Sequence, residues 1–192
     1  MGKKTIILVR HGQYHRAEEG SLERLTTLGR KQARYAGKRL REEKIDRIVY
    51  STMPRAEETA NIIKKELAYR GSFVPTKLLW ECTPGYPIKL RKKSGHTDAK
   101  RLAAHKRQVE RAYKKFFKSS RKDSVEVLVC HGNVIRYLVC RALGVDTDNW
   151  VKMDILQCAI SIVRVRTKGP HKVAVISHND IGHIPKHLRT FL

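Results

Sequence analysis

Acidic residues are scarce in this chain, with 18 Asp+Glu against 41 Lys+Arg and a formal charge of +23. That imbalance points to anionic partners, and the 41% of residues that are hydrophobic argue against wholesale disorder despite the charge. Long apolar runs are missing too: Ile6-Ile7-Leu8-Val9 is typical, and a membrane-spanning helix needs about 20 such residues. No transmembrane segment is therefore predicted. The start, Met1-Gly2-Lys3-Lys4-Thr5-Ile6, lacks the hydroxyl residue of a myristoylation motif, and its strand-like run begins too early for a signal or transit peptide. Cysteines are few and unpaired in pattern: Cys82, Cys130, Cys140 and Cys158 form no C-x-x-C. The expectation is reduced thiols in an intracellular protein, cytoplasmic as given, with mitochondrial association left open. Neither an internal repeat nor a Ser/Gly/Pro linker divides the 192 residues, so residues 1–192 read as one domain.

What is present is an alternation of strand-like and helical segments, which predicts an α/β domain with helices on both faces of a sheet. Strands are expected at 5–10, 47–51, 77–80, 125–130, 159–166 and 172–177. Helices are expected at 28–41 with Thr27 as N-cap, from Pro54 onward with Ala56, Ala60, Ile63 and Leu67 inward, at 98–118, and at 132–143. In the third helix Ala99, Leu102, Ala103, Val109, Ala112, Tyr113 and Phe116 should face the core. Residues 82–97 contain Pro84, Gly85, Pro87 and Gly95 and read as a long loop bordering a site. A C-terminal tail is expected from about 178.

Two strands end in the same way, in Leu8-Val9-Arg10-His11-Gly12 and in Leu128-Val129-Cys130-His131-Gly132. Ligands of open α/β sheets sit beyond the carboxyl ends of strands, so the two histidines can converge there. A third strand end carries Ser51-Thr52-Met53-Pro54-Arg55, placing Arg55 in a helix's first turn, where guanidinium and helix amides suit an anion such as phosphate.

Arg10-His11-Gly12, Ser51 to Thr59 and His131-Gly132-Asn133, in that order, resemble the histidine phosphatase superfamily, also called phosphoglycerate mutase-like. The likeness spans about residues 5 to 180. His11 to His15 and His131 to Tyr137 are most similar to the mitochondrial branch that acts on serine/threonine phosphoproteins. Tyr14 and His15 depart from the sugar-phosphate mutases. The resemblance implies a three-layer sandwich with a mostly parallel central sheet. It also implies hydrolysis of phosphate monoesters through phosphohistidine, with no cofactor and no metal. His11 would attack phosphorus, Arg10, Arg55 and His131 would bind phosphoryl oxygens, and Gly12, Gly132 and Asn133 would belong to the substrate site. Glu81 would be the acid, with Trp80 helping to desolvate it. Family members in mitochondria carry an N-terminal membrane and oligomerisation segment; with the first strand four residues after Met1, that anchor is not expected here. A core-domain homodimer is compatible with such a domain.

Other readings compete. A lone strand-end histidine is more often structural than nucleophilic; three ordered motifs reverse that balance. Glu57 and Glu58 read as exposed carboxylates favoured by a helix N-terminus. Cys130 to Arg136 matches C-x5-R, the skeleton of cysteine-dependent phosphatases, but its interior is bulky and it leaves His11 and Arg55 unused. His171, His178, His183 and His187 lack metal-ligand spacing. Lys89 to Lys122 holds fourteen Lys/Arg and two acids. This is a solvated face, a docking surface for acidic phosphoprotein, or a non-specific contact for nucleic acid or anionic membrane. The substrate is a phosphorylated protein, on Ser/Thr or His, or a small phosphomonoester. The different-class alternative is a phosphate- or polyanion-binding protein without turnover.

Overall fold

The computed structural model describes residues 2–15, 23–86, 98–169 and 171–191. Strands β1 (Lys3–Arg10), β2 (Arg47–Ser51), β3 (Ser72–Thr76), β4 (Ser124–Cys130), β5 (Ile160–Arg166) and β6 (Val173–Asp180) form one sheet in the order β3-β2-β4-β1-β5-β6. β1, β2, β3 and β4 run parallel, while β5 is antiparallel to both β1 and β6. The helices are α1 (Thr27–Arg39), α2 (Pro54–Glu66), α3 (Ala99–Phe116) and α4 (Gly132–Leu143). This is the mostly parallel α/β architecture that the sequence predicts.

Strand alternation builds the two layers. Ile7 and Val9 of β1 enter a core with Ala33 and Ala36 of α1 and Ala60 and Ile63 of α2. Ile6 and Leu8 turn to the opposite face, where they join Val109, Ala112 and Phe116 of α3 and Ile135 and Leu138 of α4. Small residues on α1 and α2 let both helices lie close to the sheet. Pro54 opens α2, where the missing N–H is harmless, and Gly144, at φ +71, closes α4 in the left-handed region that glycine tolerates.

Four details differ from the sequence reading. Thr26, not Thr27, caps α1, its side chain accepting from Gly29 N–H at 2.9 Å. The third strand lies at Ser72–Thr76, and Lys77–Leu79 is a 3₁₀ turn. β3 is an edge strand that pairs with β2 alone. It therefore carries little apolar signal and accommodates Pro75, while the turn folds Leu79 into the core. On α3 the inward stripe is Leu102, Val109, Ala112 and Phe116; Ala99 and Ala103 are exposed. The segment read as a tail is built into the fold. β6 continues to Asp180, Ile184 is fully buried, and Gln32 Nε2 donates to Leu188 O and Thr190 Oγ1 at 2.8 and 2.7 Å. Of the loop expected at 82–97, residues 87–97 lie outside the described residues.

Candidate active site

Three neighbouring parallel strands deliver the site. β4 lies between β1 and β2 with Arg10 opposite Cys130 in register, so the turns after β1, β2 and β4 meet at one sheet edge. His11 and His131 come together with ring centroids 5.1 Å apart.

The hydrogen bonds of His11 determine its tautomer. Nδ1 lies 2.8 Å from Gly12 O, which can only accept, so Nδ1 carries the proton. Arg55 Nε, which can only donate, lies 3.2 Å from Nε2, so Nε2 presents a lone pair. Burial, then the charges of Arg10 and Arg55, hold this imidazole well below its ordinary pKa, against the smaller opposing pull of Gly12 O. The ring is thus neutral, with one nucleophilic nitrogen beside a guanidinium.

Arg55 is buried and in the first turn of α2. It stacks on Tyr14 at 4.6 Å, and its Nη1 pairs with the Glu23 carboxylate. Thr59, one turn on, donates to Arg55 O at 2.7 Å and accepts from Gly12 N–H at 3.1 Å, joining α2 to the His11 turn. Arg10 Nη1 donates to Ile155 O at 2.5 Å and Phe191 O at 2.8 Å, while its Nε is buried without a partner. His131 is buried as well, and its Nε2 contacts Ser51 Oγ at 2.8 Å. Ser51 Oγ accepts from Met53 N–H and can give its own proton to Nε2; in that tautomer His131 Nδ1–H is a buried donor with no partner. Burial first, and the adjacent His11, Arg55 and Arg10 after it, keep His131 neutral. His131 is also the N-cap of α4, whose first turn lacks a side-chain cap, so helix amides add to the donor set. Two unpartnered buried donors, on Arg10 Nε and His131 Nδ1, beside the Arg55 guanidinium suit a tetrahedral oxyanion.

Glu81 follows the 3₁₀ turn after β3, and its Oε1 accepts from Cys82 N–H at 3.2 Å. Burial raises its pKa, opposed by that N–H and by the charges of Arg55, Arg10 and Arg136. A carboxyl that keeps its proton to higher pH than usual suits a proton donor. Trp80 does not desolvate it: the indole is 40% exposed, and its Nε1 donates to Thr52 Oγ1 at 2.6 Å.

The structure thus gathers His11, His131, Arg10, Arg55 and Glu81, with Gly12 and Gly132 in the turns. Asn133 is placed differently. Its Nδ2 donates to Cys82 O at 3.0 Å and its Oδ1 accepts from Arg136, so it braces α4 against the Glu81 segment. Arg136, which sequence reasoning considered only within C-x5-R, stacks over Trp150 at 4.7 Å, donates to Met153 O at 2.8 Å and acts electrostatically on Glu81. Its spacing of three from Asn133 on one helix face was the available signal. Ser51 and Thr59 were within the second motif but had been given no role. Glu58 is not a freely exposed carboxylate, for it accepts from Leu25 N–H at 2.9 Å and Arg30 Nε at 2.7 Å. The cysteine alternative loses its geometry: residues 132–143 are a helix rather than an anion loop, and burial raises the Cys130 thiol pKa far from thiolate character.

Residues 6–85 and 81–178 match the family described as histidine phosphatase superfamily (branch 1). The mitochondrial serine/threonine-protein phosphatase Pgam5 of Caenorhabditis elegans is 39% identical over 194 residues, covering 98% of this chain and 66% of that protein. The protein of the same name from Drosophila mojavensis is 37% identical, covering 96% and 66%. The chain therefore spans just under two thirds of the length of these curated relatives. Among solved structures, a phosphoglycerate mutase from Plasmodium falciparum is 28% identical with a TM-score of 0.65, covering 97% of this chain and 96% of that one. Bacillus stearothermophilus YhfR, 20% identical, shares the fold with a TM-score of 0.74 over 95% and 100% of the two chains. With its three motifs gathered at one sheet edge and the family match running over most of its length, the chain belongs to the histidine phosphatase superfamily.

Proposed function

We propose that the protein is a metal-independent phosphatase that hydrolyses phosphate monoesters through phosphohistidine on His11, with phosphorylated protein Ser/Thr as its substrate. The observation that carries this reading is the forced tautomer of His11, with Nδ1–H on Gly12 O and the Nε2 lone pair beside Arg55.

In the first step Nε2 forms a bond to phosphorus as the ester P–O bond breaks, and Glu81 gives its carboxyl proton to the departing oxygen. Arg10, Arg55 and the Nδ1–H of His131 bind the three equatorial oxygens, supplying the charge stabilisation that phosphoryl transfer demands. Substrate oxygens compete with Glu23 for Arg55 on entry. In the second step the Glu81 carboxylate takes a proton from water as that water attacks phosphorus and the Nε2–P bond breaks. Inorganic phosphate leaves, and His11 and protonated Glu81 are restored.

The Ser/Thr-protein substrate is supported by the names of the relatives at 36–39% identity. An intracellular location is supported by Cys82, Cys130, Cys140 and Cys158, all free and buried. Among the described residues no helix is long and apolar enough to cross a membrane.

The test is hydrolysis of an aryl phosphate and a phosphothreonine peptide with EDTA present. Wild type and Cys130→Ser should turn over both, whereas His11→Ala should turn over neither and form no acid-labile phosphoenzyme. Tight phosphate binding by a wild type that releases none would replace this reading with a phosphate-binding protein. The pH profile supplies a second check. Rate should fall on the acid side only well below the ordinary histidine range, where His11 takes a proton, and on the alkaline side as Glu81 ionises above the ordinary carboxylate range. Glu81→Gln should remove the alkaline limb.

A further inference from the structure

Helix α3 carries a row of cations that the chemistry above does not use. Lys100, Arg107, Arg111 and Lys114 follow one another at spacings of seven, four and three residues and are all exposed, with Lys118 continuing the row past the helix end. Such spacing aligns them along one helix face. Among the described residues no carboxylate pairs with any of them. The single acid within α3, Glu110, is half-buried and turned to Tyr137 and Arg141 at 2.8 and 3.1 Å. Unneutralised like charges along one face disfavour the folded chain, so the row calls for a partner of opposite sign.

The position of the row indicates which partner. The middle of α3 is fastened to the segment bearing Glu81. Thr83 N–H donates to His105 Nδ1 at 3.1 Å, and Gln108 Nε2 donates to Trp80 O at 2.8 Å. At its other end Phe116 O accepts from Lys4 Nζ at the start of β1, so the row runs from the mouth of the site down the side of the molecule. Trp80, 40% exposed with Lys77 over its ring at 5.4 Å, is tied through its carbonyl to Gln108, the chain neighbour of Arg107.

A membrane-binding helix places large apolar residues among its cations, but the large apolar residues of α3, Leu102, Val109 and Phe116, are buried. Single-stranded nucleic acid stacks successive bases on a series of aromatic platforms, but Trp80 is a lone exposed ring and α3 itself offers none: Tyr113 is half-buried and stacked on buried Phe117, with ring centroids 4.4 Å apart. A line of point charges leading out of a phosphoryl site matches an extended acidic peptide. From Lys100 to Lys114 the helix rises about 21 Å, the length of about six extended residues.

We propose that this face of α3 is the docking surface for an acidic segment flanking the phosphorylated residue of a protein substrate. The inference rests on the phosphatase reading and narrows it to phosphoproteins of acidic context. The partner contributes Asp and Glu side chains to the cations and a phosphorylated hydroxyl to the site.

Binding of fluorescent phosphothreonine peptides tests it, using His11→Ala protein so that the peptide persists. A peptide carrying six Asp/Glu should bind about tenfold tighter than a Ser/Gln counterpart at low salt, and the advantage should shrink as salt is raised. Adding Arg107→Glu, Arg111→Glu and Lys114→Glu together should abolish the advantage. In an otherwise wild-type background the same triple substitution should leave aryl phosphate turnover unchanged. Equal binding of both peptides, or an advantage that survives charge reversal, overturns the proposal. So does displacement of the acidic peptide by duplex RNA or phosphatidylserine vesicles at matched negative charge, which would assign the row to those partners. Absence of aryl phosphate turnover in wild type would count against the catalytic reading alone, since the peptide comparison decides docking without turnover.

Discussion

The turns after β1 and β4 begin from the same letters, an apolar strand followed by His-Gly, yet they build different instruments. His11 has both ring nitrogens engaged, by Gly12 O and by Arg55, which leaves one lone pair directed among cations. His131 has one nitrogen on Ser51 and the other buried without a partner. Their glycines differ as well. A Cβ on Gly12 would meet Gly29 O at 2.5 Å, whereas on Gly132 the nearest atom would be Arg10 Nε at 3.4 Å. The role of a strand-end histidine is thus set by the neighbour that holds its second nitrogen, and that neighbour comes from another part of the chain.

The hardest test of this contrast is to remove each ring. His11→Ala should lower turnover by about 10⁴-fold or more, because the bond-forming atom is gone. His131→Ala should cost about 10²- to 10³-fold while still forming phosphoenzyme, as loss of one oxyanion donor does. Equal losses in single-turnover kinetics would erase the distinction between the two. The glycines offer a structural version. Gly12→Ala should destabilise by about 3 kcal/mol, since the clash is with backbone that cannot step aside. Gly132→Ala should change stability by about 0.5 kcal/mol or less, readable in urea denaturation. Ser51→Ala, which frees only the His131 side, should cost about tenfold in kcat with phosphoenzyme formation slowed and its hydrolysis still measurable.

The smallest effect concerns pH. Both histidines have folded-state pKa values depressed below 6.5, so the unfolded chain binds more protons there. Stability should be fully present above pH 6.5 and decline as pH falls below it. The melting temperature of His131→Gln should fall less steeply between pH 7 and 5 than that of wild type.

Much of this was legible in the sequence because parallel strands buried on both faces write continuous apolar runs. β1, β2 and β4, together with the His-Gly and Pro-Arg turns, could be placed from those runs and from helix-start chemistry. The edge strand β3 could not, since half of it faces solvent and its alternation is blurred by Pro75. The bracing role of Asn133 was not legible because polarity at a helix start suits a ligand contact and a strut equally well, and its bonds to Cys82 and Arg136 show the strut. The residues after β6 looked like a tail because, beside the side chains of Ile184 and Thr190, much of their binding is done by carbonyls such as Leu188 O and Phe191 O, which carry no trace in side-chain identity.

One hydroxyl has a mechanical consequence. Thr59 is bonded at once to the backbone beneath Arg55 and to the amide just after His11. A displacement of α2 against the sheet would act through this hydroxyl on the His11 turn, so the tie opposes any gap opening between the attacking nitrogen and the helix that carries the guanidinium.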